Sequence, residues 1–166
     1  MYSLNVPLPS SVTRLATELA RELPGARARV RGEHTLVCKR LGEGPHARLE
    51  AQLREALSGA PAFEAGVTGV DYFAEAEVGP SPVVYLTVES PGLRALHERL
   101  LETFEPIAGL EGEEYVPHVT IARDGDLAAA KRLAEREIDP ITWTVTSVTS
   151  YDAERHEPVR EFSLPA

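Results

Sequence analysis

The sequence repeats itself in outline. Its first half runs from an alternating strand, YSLNV, through Pro9 and Ser10-Ser11, into an amphipathic helix, a loop and a strand segment with His34 followed by Thr35. Its second half runs from VYLTV, through Ser90-Pro91, into another amphipathic helix, a loop and a strand with His118 and Thr120. Leu4 to His34 spans 30 positions and Leu86 to His118 spans 32. Two β-α-β units, each delivering one histidine, predict a pseudo-twofold α+β domain. Its two lobes would carry antiparallel sheets around a central cleft, with the histidines facing each other across it.

The period of the apolar residues supports this division. Val12, Leu15, Ala16, Leu19 and Leu23 fall on one helical stripe, stopped by Pro24-Gly25. Val30 to Leu41 reads as a strand, and Leu49, Leu53, Ala56 and Leu57 as the buried face of a second helix. Phe63 to Val78 reads as two short strands or one long bent one, and Val83 to Glu89 as a clean strand. Ser90-Pro91 is a helix start, with a serine cap and proline at the first helical position. Leu93, Leu96, Leu100 and Phe104 follow as its core stripe. Val116 to Ala122, Ile141 to Tyr151 and Val159 to Leu164 read as strands, with a helix over Leu127 to Glu137. A chain of 166 residues without a linker reads as one domain over 1–166.

Composition narrows the function classes. The net charge of −9 argues against a broadly basic nucleic-acid-coating surface. Lys39 and Lys131 are the only lysines beside many arginines and glutamates, which points equally to a GC-rich genome or a high-salt cytoplasm. The single cysteine, Cys38, precludes an internal disulfide and reads as strand core in a reducing, cytoplasmic setting. MYSLNVPLPSS lacks a basic n-region and a long apolar run, so no signal peptide is expected. No stretch approaches a membrane span, and the domain is expected to act as a monomer.

The chemistry concentrates on PHVTIAR. Strand alternation puts His118 and Thr120 on one face and Val119 and Ile121 on the other, against a core. An imidazole beside a hydroxyl suits an anionic oxygen: the hydroxyl donates to it while the ring moves a proton. Arg123 at the strand end adds a fork of donors for phosphate. His97 reads as a boundary helix residue, His46 as an exposed cap-region residue and His156 as a turn residue. Lys39 reads as an exposed strand lysine, and Glu111 to Glu114 as a solvated loop. Tyr115 fits either base stacking or core anchoring, and Tyr151 is equally ambiguous. No histidine pair has zinc spacing, and one cysteine cannot build a structural zinc site.

PHVTIAR resembles the second signature of the 2H phosphoesterase superfamily, in particular its 2'-5' RNA ligase-like members. The strand-helix opening, HTLVCKRLG, PHVTIAR and ITWTVTSVTSYDA follow the family's order across essentially the whole chain. The resemblance implies metal-free and cofactor-free phosphoester chemistry, with His34 and His118 as general base and general acid in an order left open. Thr120, Arg123 and Thr35 would bind the substrate's phosphate. The implied substrate is an RNA end or small nucleotide with a 2',3'-cyclic phosphate, opened to the 2'-phosphate, with 2'-5' ligation as the related reaction. The first motif departs from the family's His-x-Thr, because Thr35 directly follows His34. Counted back from Leu41-Gly42, the family's histidine position falls on Thr35. Either a bulge near His34 re-aims both side chains, or His34 acts without a hydroxyl partner. The competing expectation is a non-catalytic RNA- or nucleotide-binding domain with a degenerate first motif.

Overall fold

The computed structural model describes all 166 residues. The chain builds nine strands: β1 (Tyr2–Val6), β2 (Arg27–Ala28), β3 (Leu36–Gly42), β4 (Phe63–Phe73), β5 (Val83–Glu89), β6 (His118–Arg123), β7 (Ile141–Val145), β8 (Ser147–Asp152) and β9 (Glu157–Ser163). Four α-helices join them: α1 (Ser10–Ala20), α2 (His46–Ala56), α3 (Pro91–Leu100) and α4 (Leu127–Ala134). No helix is long and apolar enough to cross a membrane.

The strands form one sheet in the order β7-β4-β5-β6-β3-β1-β8-β9, with β2 also paired to β6. Every pairing is antiparallel. The expected lobes are its two halves, β9-β8-β1-β3 and β7-β4-β5-β6. Their strands β3 and β6 meet at a single bridge, Leu36 opposite Val119, and β2, on the connection from α1 to β3, adds two pairs with β6. This backbone pairing is short, and the helices bind the lobes as well. α1 leaves β1 of the first lobe and packs on β6 of the second, while α3 leaves β5 of the second and packs on β3 of the first as well as on β4. Val12, Ala16 and Leu19 of α1 and Leu93, Leu96 and Leu100 of α3 join the strand core of Leu4, Leu36, Leu86 and Val119. Apolar burial, at about 25 cal/mol per Å² removed from water, therefore fastens the seam.

The cap read from Ser90-Pro91 is present. Ser90 Oγ accepts from Leu93 N–H at 3.0 Å and donates to the Glu64 carbonyl at 2.6 Å, tying α3 to β4. Ile141 to Tyr151 is not one strand. It breaks at Thr146 into β7, which pairs with β4, and β8, which pairs with β1. The apolar alternation of Ile141, Trp143 and Val145 loses its phase there, since the next apolar residue is Val148, and this shift marks the break. The strand expected from Val30 begins only at Leu36, because residues 29–35 run as irregular chain beside β6. Phe63–Phe73 is one strand, with a register shift between Val67 and Gly69.

Two polar expectations are overturned. Lys39 is fully buried rather than exposed, and Glu111 is buried rather than solvated. The Lys39 ammonium donates to Glu111 Oε1 at 2.6 Å, to the Arg40 carbonyl at 2.7 Å and to the Glu105 carbonyl at 3.0 Å. The Glu111 carboxylate also accepts from Arg40 N–H at 2.9 Å and Ile107 N–H at 3.0 Å. Burial pushes the Glu111 carboxyl upward, but these donors outweigh it and hold it below the usual carboxylate range. The pair fastens the 105–115 segment to β3. His97, expected at a helix boundary, is fully buried in the same knot. Its Nδ1 lies 2.7 Å from the Cys38 carbonyl, and its Nε2 accepts from Gly112 N–H at 3.0 Å. Those partners require a neutral ring with the proton on Nδ1.

Candidate active site

β3 and β6 carry the same deformation. In β6, Tyr85 faces Thr120 and Val84 faces Ala122, so Ile121 is the extra residue of a bulge. In β3, Asn5 faces Val37 and Leu4 faces Lys39, so Cys38 is the extra residue. Both bulges stand at the same remove from the Leu36–Val119 bridge. The pseudo-twofold relation therefore matches Thr35 with His118, Val37 with Thr120 and Arg40 with Arg123. In each strand a bulge brings the arginine onto the face that holds the first residue of the motif.

This register resolves the odd spacing of the first motif. The bulge sits at Cys38, not near His34, and it re-aims Arg40 rather than the histidine. Thr35 stands at the position equivalent to His118, and Val37 replaces the hydroxyl that Thr120 supplies on the other side. His34 lies one residue before, in the irregular chain leading into β3. It is half-buried, with both ring nitrogens shielded from solvent and without hydrogen-bond partners. Burial is the main cause that lowers its pKa.

His118 opens on a cavity of about 580 Å³ that Arg40 and Arg123 also line. His34, Thr35 and Thr120 are not among its lining residues. Thr35 lines a smaller neighbouring cavity of about 140 Å³, and Met1, Val37 and Arg40 line both. The structure thus brings His118 and Arg123 to one cavity, sets Thr35 beside it, and leaves His34 outside both.

The His118 ring is held by its neighbours. Its edge meets Tyr85 at 5.2 Å and Phe73 at 5.6 Å between centroids, and those two rings stack on each other at 4.4 Å. Its Nδ1 lies 2.7 Å from the Val116 carbonyl, an acceptor only, so Nδ1 carries the proton. Nε2 keeps its lone pair. Burial chiefly lowers the His118 pKa, and the Arg40 and Arg123 cations lower it further against the Val116 hydrogen bond. A neutral ring with a free Nε2 is a base at neutral pH.

The arginines set the charge of the cleft. Arg123 Nη1 donates to the Val78 carbonyl at 2.5 Å, which draws the 74–82 loop against the cavity. Gly79 permits this contact: it has φ +82°, and a Cβ there would lie 2.9 Å from Arg123 Nη1. Arg123 Nε and Nη2 make no hydrogen bond to protein. Burial, and then Arg29 and Arg40, pull the Arg123 pKa below its ordinary value. Three arginines so close together in a chain of net charge −9 form a local cationic site suited to an anion. Arg40 was not singled out in the sequence, although its place in HTLVCKR matches that of Arg123 in HVTIAR. Tyr115 is a core anchor: its hydroxyl donates to the Val37 carbonyl at 2.8 Å and its ring stacks on His97 at 3.9 Å.

Comparison with known proteins agrees with the geometry. A family model described as the 2'-5' RNA ligase superfamily matches residues 7–157. No curated protein sequence matches the chain. Among solved structures, E. coli LigT in apo form superposes with a TM-score of 0.72 at 20% identity, over 99% of this chain and 97% of that one. E. coli LigT complexed with 3'-AMP gives 0.66 at 20% identity, over 99% and 98%. A structure described as a phosphoesterase gives 0.70 at 18% identity, over 99% and 98%. At these identities the superpositions establish the fold, an α+β arrangement of two lobes about a cleft. With most of its length matched by the family model, the chain belongs to the 2'-5' RNA ligase superfamily and carries a phosphoesterase- or ligase-type function.

Proposed function

We propose that this protein is a metal-independent phosphoesterase of the cytoplasm, opening 2',3'-cyclic phosphates on RNA ends or small nucleotides to 2'-phosphates. The observation that carries this reading is His118 Nε2, free and neutral beside Arg40 and Arg123 at an open cavity. His118 accepts the proton of an attacking water as its oxygen bonds to phosphorus. Arg40 and Arg123 neutralise charge on the nonbridging oxygens, and Thr120 extends the same face. The bond to the 3'-oxygen breaks, and that oxygen leaves with a proton. Phe73, Val78, Val83 and Val116 line an apolar wall that suits a nucleoside base. LigT, which shares the fold, holds 3'-AMP in one of its structures. Joining RNA ends through a 2'-5' linkage uses the same two proton transfers.

The test is hydrolysis of a short RNA ending in a 2',3'-cyclic phosphate, with chelator present, for the native chain and for His118→Ala and His34→Ala. Turnover to a 2'-phosphate that falls at least ~100-fold in His118→Ala supports the reading. The His34→Ala arm asks whether that histidine supplies the second proton transfer. A second reading, a nucleotide-binding domain without catalysis, is favoured by one observation: Thr35 stands where a second histidine would face His118. Tight binding without turnover would establish that reading instead.

A further inference from the structure

The pseudo-twofold relation extends outward from the seam. In the second lobe Val83 faces Arg123 on one side and Phe73 on the other. In the first lobe Ser3 faces Arg40 on one side and Tyr151 on the other. Tyr151 is therefore the counterpart of Phe73. The Phe73 ring reaches across the intervening β5 to within 5.6 Å of the His118 ring. The same reach from Tyr151 leads to the space above Thr35, where a second imidazole would lie if residue 35 repeated residue 118. The shorter threonine leaves that space open.

Tyr151 differs from Phe73 by a hydroxyl, and this hydroxyl is shielded from solvent without a hydrogen-bond partner. A buried phenol normally finds one, so its orphan state is costly unless a ligand completes it. Tyr151 lines the 140 Å³ cavity with Ser3, Asn5, Thr35 and Arg40. The two sides of the cleft are thus chemically unlike. A larger cavity with a base lies on the His118 side, and a small one with an unpaired phenol on the Thr35 side. Arg40 stands between them, where a phosphate would sit.

We propose that Tyr151 is the general acid of this site, donating its phenolic proton to the departing 3'-oxygen in place of a second histidine. This rests on the phosphoesterase reading above. In the full step, water forms a bond to phosphorus and gives its proton to His118 Nε2. The bond from phosphorus to the 3'-oxygen breaks, and that oxygen takes the proton of Tyr151. The imidazolium then returns a proton to the phenolate through solvent, so no other reactant is needed. Burial raises the Tyr151 pKa, which keeps the phenol protonated between turnovers.

The experiment compares two leaving groups. One substrate is a nucleoside 2',3'-cyclic phosphate, whose ribose oxygen must be protonated as it leaves. The other is a nucleoside p-nitrophenyl phosphodiester, whose phenolate leaves without a proton. Tyr151→Phe is expected to lower kcat on the first by ~100-fold or more with KM little changed, and to leave the second within about threefold. Thr35→His added to Tyr151→Phe is expected to restore part of the lost turnover by placing an imidazole in the same space. Equal losses on both substrates would overturn the proposal, as a purely structural effect. So would unchanged turnover in Tyr151→Phe, or a leaving-group-dependent loss in His34→Ala instead. Absence of turnover by the native chain on either substrate would overturn the phosphoesterase reading itself. An active native chain with an indifferent Tyr151→Phe would overturn only the role of the phenol.

Discussion

Lys39→Met should be the most informative test of how the cavity is supported. The side chains of Lys39 and Glu111 have no exposed surface, and their charged atoms approach to 2.6 Å. Methionine fills the lysine stem but removes three charge-assisted hydrogen bonds, to Glu111 and to the Arg40 and Glu105 carbonyls. The Glu111 carboxylate then keeps two backbone donors and no cation within 3 Å, since Arg40 Nη1 stands 3.9 Å away. Breaking one side of a buried pair costs about 3–5 kcal/mol, and the two surviving donors favour the lower end. A loss of about 3 kcal/mol in a chain of this size lowers Tm by about 6–12 °C. Denaturant titration of Lys39→Met, Glu111→Leu and the double variant measures it. The double variant should recover part of the loss, because no charge remains unpaired, with a coupling of about 1–3 kcal/mol. A Lys39→Met variant within about 1 kcal/mol of the native chain would refute the argument that this pair fastens the 105–115 segment.

Four further outcomes are expected. Arg40→Met and Arg123→Met should each raise KM for a cyclic nucleotide by ~10-fold or more, the value of a charge-assisted hydrogen bond to phosphate; steady-state kinetics decide, and an unchanged KM for Arg40→Met removes it from the site. Gly92→Ala should destabilise by about 1–3 kcal/mol, although alanine usually favours a helix, because its Cβ would fall 2.3 Å from Phe63 Cβ; melting curves give the sign. Stability should fall as pH drops below about 6.5. His34, His97 and His118 all have lowered pKa values, chiefly through burial, so the unfolded chain binds more protons than the folded one from about 6.5 downward. Denaturation midpoints at pH 7.5 and 5.5 check this, and His97→Asn should flatten the difference.

The β-α-β repeat was legible because apolar period and punctuation are local. The cap at Ser90, the core stripe of α3 and the polar face of His118 followed from spacing alone. The misjudged residues depended on distant partners. Lys39 looked like a surface lysine because its counterion, Glu111, is far along the chain, and Glu111 looked solvated for the same reason. The match of His34 to His118 followed residue type, whereas the register matches Thr35 to His118. Each bulge consumes one extra residue of its strand, and a bulge leaves little mark in an apolar run such as LVC or TIA. Arg40 was missed as a consequence. Its equivalence to Arg123 is visible only when HTLVCKR is aligned by its arginine rather than by its histidine. Thr146 separates β7, at one edge of the sheet, from β8, near the other, and its only local sign is the change of phase between Val145 and Val148.

The position of β1 sets the order in which the molecule can be completed. β1 is made before the other strands of the sheet, yet its partner on one side is β8, which follows all four helices. Until Ser147–Asp152 is synthesised, the nascent first lobe carries an unpaired strand edge along Tyr2–Asn5. α1, formed early, must likewise wait for β6 to cover its apolar stripe. Neither lobe can therefore mature on its own during translation, and folding is deferred until β8 has been made. Such a chain has high contact order and a long aggregation-prone interval, which makes it a natural client for whatever holds unfinished polypeptides apart.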